Sequence, residues 1–294
     1  LEYKKFKTWF KFYNEQDNKN NPINVSIEDD ERALLRDIGD NLNEAFISGV
    51  NEVEFTTDRV LYKLIDSTVN SVIYDSIYVY STNEDSAIYS LSFTYVGFGN
   101  GSYVPGINAA NGRVFEWVAP DINGNLTGSY EPKLLLITPK RKRLLTLGAQ
   151  SELNDNWTFE AEGAMSNNDV NLFSEIDSGD DKDFAAQAKL SFKNTIGKHK
   201  EWTMTSNIGY EYKGNDFKEI EPYRPIEFSR DWNIGLNDSL VNEHFTYGDV
   251  GFSNKGIALN YRFANYNRKG VYLGYKNNLV VEINKRNWKF TTNT

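Results

Sequence analysis

The most regular feature of the chain is a two-residue period of apolar and polar positions through its second half. Trp157, Phe159, Ala161, Gly163 and Met165 alternate with Thr158, Glu160, Glu162, Ala164 and Ser166. Phe184, Ala186, Ala188, Leu190 and Phe192 alternate with Ala185, Gln187, Lys189, Ser191 and Lys193. Trp202, Met204, Ile208, Tyr210 and Tyr212 oppose Thr203, Thr205, Asn207, Glu211 and Lys213, and the period returns at Ile257–Phe263 and Leu279–Ile283. Successive side chains of a strand point to opposite faces, so this pattern predicts strands with one apolar and one polar face. Turns such as Asn154-Asp155-Asn156 and Arg268-Lys269-Gly270 make them antiparallel neighbours. Several reach about 10 residues, enough for a tilted strand to cross a hydrocarbon core; strands of soluble proteins average nearer 5 or 6. Trp157, Phe192, Trp202, Tyr212 and Trp288 fall near strand ends, where a membrane interface favours aromatic rings. The longer polar connections, 168–183 and 214–222, are expected to be outward loops.

The first part of the chain reads differently. Alternation from Tyr3 to Phe12 predicts an extended edge strand. A short helix near 27–38 is expected, capped by Ser26, opened by Glu28, Asp29 and Asp30, and ended at Gly39. Runs at 52–65, 71–80, 87–96 and 114–118 predict shorter strands, separated by the turn-rich 97–101 and 121–125. The expected fold class is all-β. Residues 1–132 form a β-rich, sandwich-like domain with one short helix, and residues 133–294 form the long antiparallel strands of an outer-membrane barrel or barrel fragment. The pattern stops at Thr294 in mid-strand, which favours a fragment. A soluble sheet has the same period, with shorter strands.

Composition narrows the chemistry. The 294 residues carry a formal charge of -9, which argues against nucleic acid as a partner. There is no cysteine, and therefore no disulfide, thiolate nucleophile or Cys-ligated metal. Aromatic residues reach 14%. No apolar run is long enough for a transmembrane helix, which leaves a transmembrane barrel open because its strands alternate.

Candidate sites are few. Asp177, Asp180, Asp181 and Asp183 crowd one connection and offer hard oxygen donors for calcium; Asp121, Asn123 and Asn125 offer a second such turn. His199 and His244 are isolated, and Gly97-Phe98-Gly99-Asn100-Gly101 lacks dinucleotide-loop spacing and reads as a turn. Glu160 and Glu162 share a strand face as glycosidase acids do, but they belong to the regular polar face, where Lys189 or Lys213 would offset them. Lys140, Arg141, Lys142 and Arg143 form the one strong basic run, suited to lipid headgroup phosphates at a membrane boundary. Glu227, Arg230 and Asp231, joined by Arg224, are expected to form an ion-pair cluster inside the barrel. The positions expected to face lipid are Trp157, Phe159, Ala161, Met165, Phe184, Ala186, Ala188, Leu190, Trp202, Met204 and Ile208.

Three stretches carry a resemblance: Ser92–Val104, Gly128–Pro132 with 134–140, and Tyr223–Asn233, together with Ile38-Gly39-Asp40 and Ala45-Phe46. In these the chain resembles large outer-membrane β-barrel proteins of Bacteroidota, similar in style to the SprA/Sov translocon family of type IX secretion. The resemblance implies an outer-membrane barrel with an attached β domain in a Gram-negative bacterium. It also implies a non-enzymatic role in protein export, outer-membrane assembly or cell-surface attachment, with membrane lipid and other subunits of an outer-membrane complex as partners. The competing reading is a soluble cell-surface β-sandwich module that binds a glycan or protein. No resident cofactor is expected beyond the calcium candidate.

Overall fold

Sustained alternation does produce long strands. In the computed structural model, which describes residues 2–3, 5–19, 27–106, 112–235, 239–285 and 288–293, the chain divides into two compact units. One comprises Leu1–Ser26 with Pro139–Thr294, the other Ile27–Thr138. The first strand therefore belongs with the large second half, not with the domain expected over 1–132. Its own alternation explains why, because Phe6–Ser151 to Gln16–Arg141 pair in unbroken antiparallel register.

The larger unit is one antiparallel sheet. Its strands are β1 (Phe6–Gln16), β2 (Arg141–Glu152), β3 (Trp157–Asp169), β4 (Lys182–Ile196), β5 (Trp202–Lys213), β6 (Glu243–Ser253), β7 (Ile257–Arg268), β8 (Tyr272–Lys285) and β9 (Trp288–Asn293). Each pairs with the next in chain order, and a two-residue strand, Glu2–Tyr3, adds to the outer edge of β1. Strands β1–β8 run from 11 to 15 residues. Among the described residues no pairing joins β9 to β1 or to Glu2–Tyr3, so the sheet has two edges and is not a closed barrel. The smaller unit is inserted into the β1–β2 connection. Within the larger unit, where β1 ends and β2 begins, the Asp17 backbone N–H donates to the Lys140 carbonyl at 2.9 Å and the Asp17 carboxylate accepts from the Lys140 N–H at 2.9 Å.

The smaller unit contains helix α1 (Asp29–Asp37). Its cap is Glu28, in a reciprocal capping box with Glu31, and three acidic residues open its first turn. Ser26, expected as the cap, lies outside the described residues. Leu35 is fully buried and Gly39 takes φ +61° just past the helix, as expected for a C-terminal stop. One four-stranded sheet orders Val50–Glu52, Tyr89–Leu91, Tyr62–Val69 and Val72–Tyr80. A second orders Phe115–Trp117, Tyr103–Pro105, Tyr130–Glu131 and Thr94–Tyr95, and Phe46–Ser48 pairs with Lys133–Leu135. The core is aromatic: Phe93 stacks on Phe115 at 4.3 Å, while Tyr62 and Tyr103 are buried. Both phenols spend their oxygens inside the unit. Tyr62 accepts from the Phe115 N–H and Tyr103 from the Tyr78 N–H, each at 3.0 Å, and these bonds link the two sheets.

Candidate functional site

The ladder registers sort the large sheet into two faces of opposite chemistry. One row reads Phe12, Leu145, Met165 and Phe184, the next Phe10, Leu147, Gly163, Ala186 and Tyr212, and a third Phe6, Ser151, Phe159, Leu190 and Ile208. Across β7 and β8 the same face carries Leu259 opposite Val281 and Tyr261 opposite Leu279. All eleven residues expected to face lipid lie on this face. Among the described residues no second layer of the unit covers it. Ile208 is 61% exposed, Phe10 63% and Phe184 55%, values that no packed core tolerates. Burying each such side chain is worth roughly 1.5–3 kcal/mol, so this face gains free energy from any apolar surface or medium that covers it.

The opposite face is polar and is organised by glycines facing rings. Gly148 stands between Trp9 and Glu162 in register, and the indole N–H of Trp9 donates to Glu162 over it. Gly209 stands opposite Tyr247, whose ring occupies the place a Cβ would fill. Gln187 adds a second donor to Glu162 at 3.4 Å, and Glu160 lies opposite Lys189. The paired carboxylates thus belong to a structural lattice.

The stretch 214–222, expected as an outward loop, is laid across this polar face together with described residues that follow it toward β6. Lys218 N–H donates to Ser166 on β3 at 3.1 Å, and Asp216 N–H to Asp183 on β4 at 2.9 Å. Glu219 pairs with Lys213 on β5 at 3.1 Å, Arg268 on β7 donates to the Ser239 carbonyl at 2.7 Å, and the Tyr272 hydroxyl on β8 donates to the Trp232 carbonyl. Arg224 is the central post. Its guanidinium lies 3.5 Å from Glu243 and 3.9 Å from Glu211, and 4.3 and 4.8 Å from the rings of Phe228 and Tyr266. A short helix, α2 (Phe228–Asp231), brings Trp232 into a buried cluster with Phe245, Ala264 and Tyr266. The cause is chemical: the segment carries four aromatic rings and Arg224, and the wall supplies rings and carboxylates to match. The ion-pair cluster expected around Glu227 and Arg230 is thereby corrected. Arg230 pairs with its exposed neighbour Asp231, and Arg224 pairs with the wall.

Two cavities flank the post. The first, of about 430 Å³, is lined by Tyr13, Glu162, Glu211, Phe217, Glu219 and Tyr223. The second, of about 530 Å³, is lined by Arg224, Arg262, Lys276, Asn260, Asn278 and Trp232, with Glu211 shared by both.

The remaining candidates fall as follows. Strand alternation splits the basic run. Arg141 and Arg143 share the apolar face, while Lys142 is on the polar one and the Lys140 backbone bonds to Asp17. Arg141 pairs with Asp169 at 2.9 Å; Arg143 donates to Asn14 at 2.6 Å and Gln16 at 2.9 Å. Lys182, which sequence reasoning passed over, lies in the same row as Arg143 through Asn167, next to the first apolar row. Of the four aspartates, Asp180 and Asp181 bring carboxylate oxygens within 4.8 Å. Asp183 commits both oxygens to the N–H groups of Phe184 and Asp216, and Asp177 is exposed at φ +61°. Asp121 accepts from the N–H groups of Asn123 and Asn125 and from the Asn125 side chain, an Asx turn. These bonds, above all those from Asn125, hold its carboxyl below the usual range. His199 is exposed in a turn, and His244 shares a 2.7 Å hydrogen bond with the Tyr210 hydroxyl. Comparison with protein-family models, curated proteins and solved structures finds no match to this chain.

Proposed function

We propose that the chain is a non-enzymatic component of a Gram-negative outer membrane, contributing barrel wall and carrying the inserted unit. The observation that supports it best is the continuous, uncovered apolar face on strands of membrane-crossing length. The connections support it too. Residues 153–156, 197–201 and 254–256 make short turns at one end of the sheet, while the longer 17–140, 170–181 and 214–242 leave from the other, together with one short turn, 269–271. Outer-membrane barrels have short periplasmic turns and long outer loops, so on this reading the unit 27–138 is displayed outside the cell. Arg143 and Lys182, bordering the apolar rows, then meet headgroup phosphates. The polar face, with its segment 214–242, is a plugged lumen. β1 and β9 run in the same direction, and unpaired backbone groups in lipid each cost several kcal/mol. The reading therefore requires the free edges to be paired in the membrane, with each other or with strands of partner subunits. The role that fits is export, assembly or surface attachment, in the style of the Bacteroidota barrels that the sequence resembles.

The test is fractionation and flotation of the full chain expressed behind an export leader. The reading expects it to float with outer membranes and to need detergent for extraction. Monodisperse protein in buffer without detergent would overturn it and favour the soluble binding module.

A further inference from the structure

The second cavity on the polar face has no assigned role, and its charge differs from its surroundings. On a chain with a net charge of -9, it gathers Arg224, Arg262 and Lys276 against one carboxylate, Glu211. Arg224 already pairs with Glu211 and with Glu243, which it shares with Arg268. Arg262 and Lys276 make no ion pair among the described residues. They stand on adjacent strands and one face, Arg262 opposite Asn278 and Lys276 opposite Ala264, hence diagonal neighbours. The acidic residue opposite Arg262 on its other side is Asp249, whose carboxylate accepts instead from Asn207 Nδ2 at 2.7 Å. Arg262 is held in place by the Tyr247 ring, 4.6 Å from its guanidinium carbon. Two like charges kept side by side repel, so their arrangement is stable when an anion sits between them.

From this geometry we infer a binding site for an organic anion, a phosphate or carboxylate carrying an aromatic or apolar body. Arg262 supplies a two-pronged donor and Lys276 a point charge, and Asn260 and Asn278 add hydrogen-bonding groups. Phe228 and Trp232, which also line the cavity, supply the wall for the apolar body. The volume of about 530 Å³ lies in the range of small-molecule sites. The inference does not depend on what covers the other face of the sheet.

Phenyl phosphate, inorganic phosphate and phenol serve as probes, titrated calorimetrically into the full chain held in zwitterionic detergent. Phenyl phosphate should bind most tightly, inorganic phosphate more weakly and phenol not detectably. Arg262→Gln and Lys276→Gln should each weaken phenyl phosphate about tenfold. Lys276→Arg should retain most of the affinity, and Lys189→Gln, which removes a cation elsewhere on the same face, should leave it unchanged. The site is overturned if no probe binds, if phenol binds as well as phenyl phosphate, or if Lys189→Gln costs as much as the cavity variants. A far-ultraviolet spectrum matching the parent qualifies each variant; should Arg262→Gln not fold, the Lys276 pair of variants decides. Flotation with membranes is scored separately, so the membrane reading and the anion site fail independently.

Discussion

Trp9 donates its indole N–H to the carboxylate of Glu162 across an intervening strand that presents no side chain at Gly148. The ring lies where a Cβ would go: one built on Gly148 would stand 2.1–2.4 Å from three indole atoms. Gly148→Ala should therefore displace the indole, break the bond and cost about 1–3 kcal/mol by overpacking. Urea unfolding of the refolded protein measures this. The double variant with Trp9→Ala should recover part of the loss, because the clash partner has gone; strict additivity would contradict the contact.

Ala161 and Ala188 face each other in register on the apolar face. An arginine at either position, placed near mid-strand, should cost about 2–4 kcal/mol in a bilayer. Folding into liposomes, followed by protease protection, should fail or fall sharply for Ala161→Arg. Gln187→Arg, on the polar face one residue away, should fold normally.

Tyr103 is 4% exposed, and burial pushes its phenol up to about 12 from the ordinary value near 10. A group whose folded value is raised contributes stability in full below its unfolded value and loses it as pH rises through the folded one. The inserted unit should hold its near-ultraviolet signal to about pH 10 and lose it toward pH 12. Tyr103→Phe, which gives up the bond from the Tyr78 N–H, should shift that loss to higher pH while lowering stability at neutrality.

Gly101 and Gly128 meet in an isolated bridge, and a Cβ on either would lie 2.5–2.6 Å from backbone nitrogen of Tyr130 or Tyr103. Alanine at either site should destabilise the inserted unit by about 1–3 kcal/mol. Thermal unfolding followed by tyrosine absorbance reports the change.

Removing Arg224 leaves Glu211 without its paired cation and Glu243 with only the more distant Arg268, at 3.8 Å. These groups are partly solvated, so the cost should be on the order of 2 kcal/mol, less than for a fully buried pair. Arg224→Ala should speed limited proteolysis within 222–235 while the strands stay protected. Arg224→Lys should restore little, since the post is a flat guanidinium set among rings.

The two faces of β3, β4 and β5 were legible in the sequence, because period two is a local signal and burial was not needed to phase it. The place of β1 was not: its partner on β2 lies beyond the whole inserted unit, and alternation says nothing about which strand lies beside which. Along the sequence the basic run 140–143 looks like one patch. Strand geometry sends its members to opposite faces, and applying the period to the run itself would have shown that. Arg224 was seen, but with near neighbours in sequence as partners. Its carboxylates, Glu211 and Glu243, lie on flanking strands and become neighbours when the segment folds back. The cations of the second cavity carry no motif. Arg262 and Lys276 meet because β7 and β8 pair in one particular register.

The insertion between β1 and β2 has a consequence in time. During synthesis β1, once made, waits for its ladder to β2 until more than a hundred further residues have been added, and distant pairings of this kind form slowly. In that interval Phe6, Phe10 and Phe12 form an unseated, sticky ribbon with a bare edge, prone to aggregate. The nascent polypeptide thus calls for holding chaperones at β1, well before the neighbouring stave is ready to receive it.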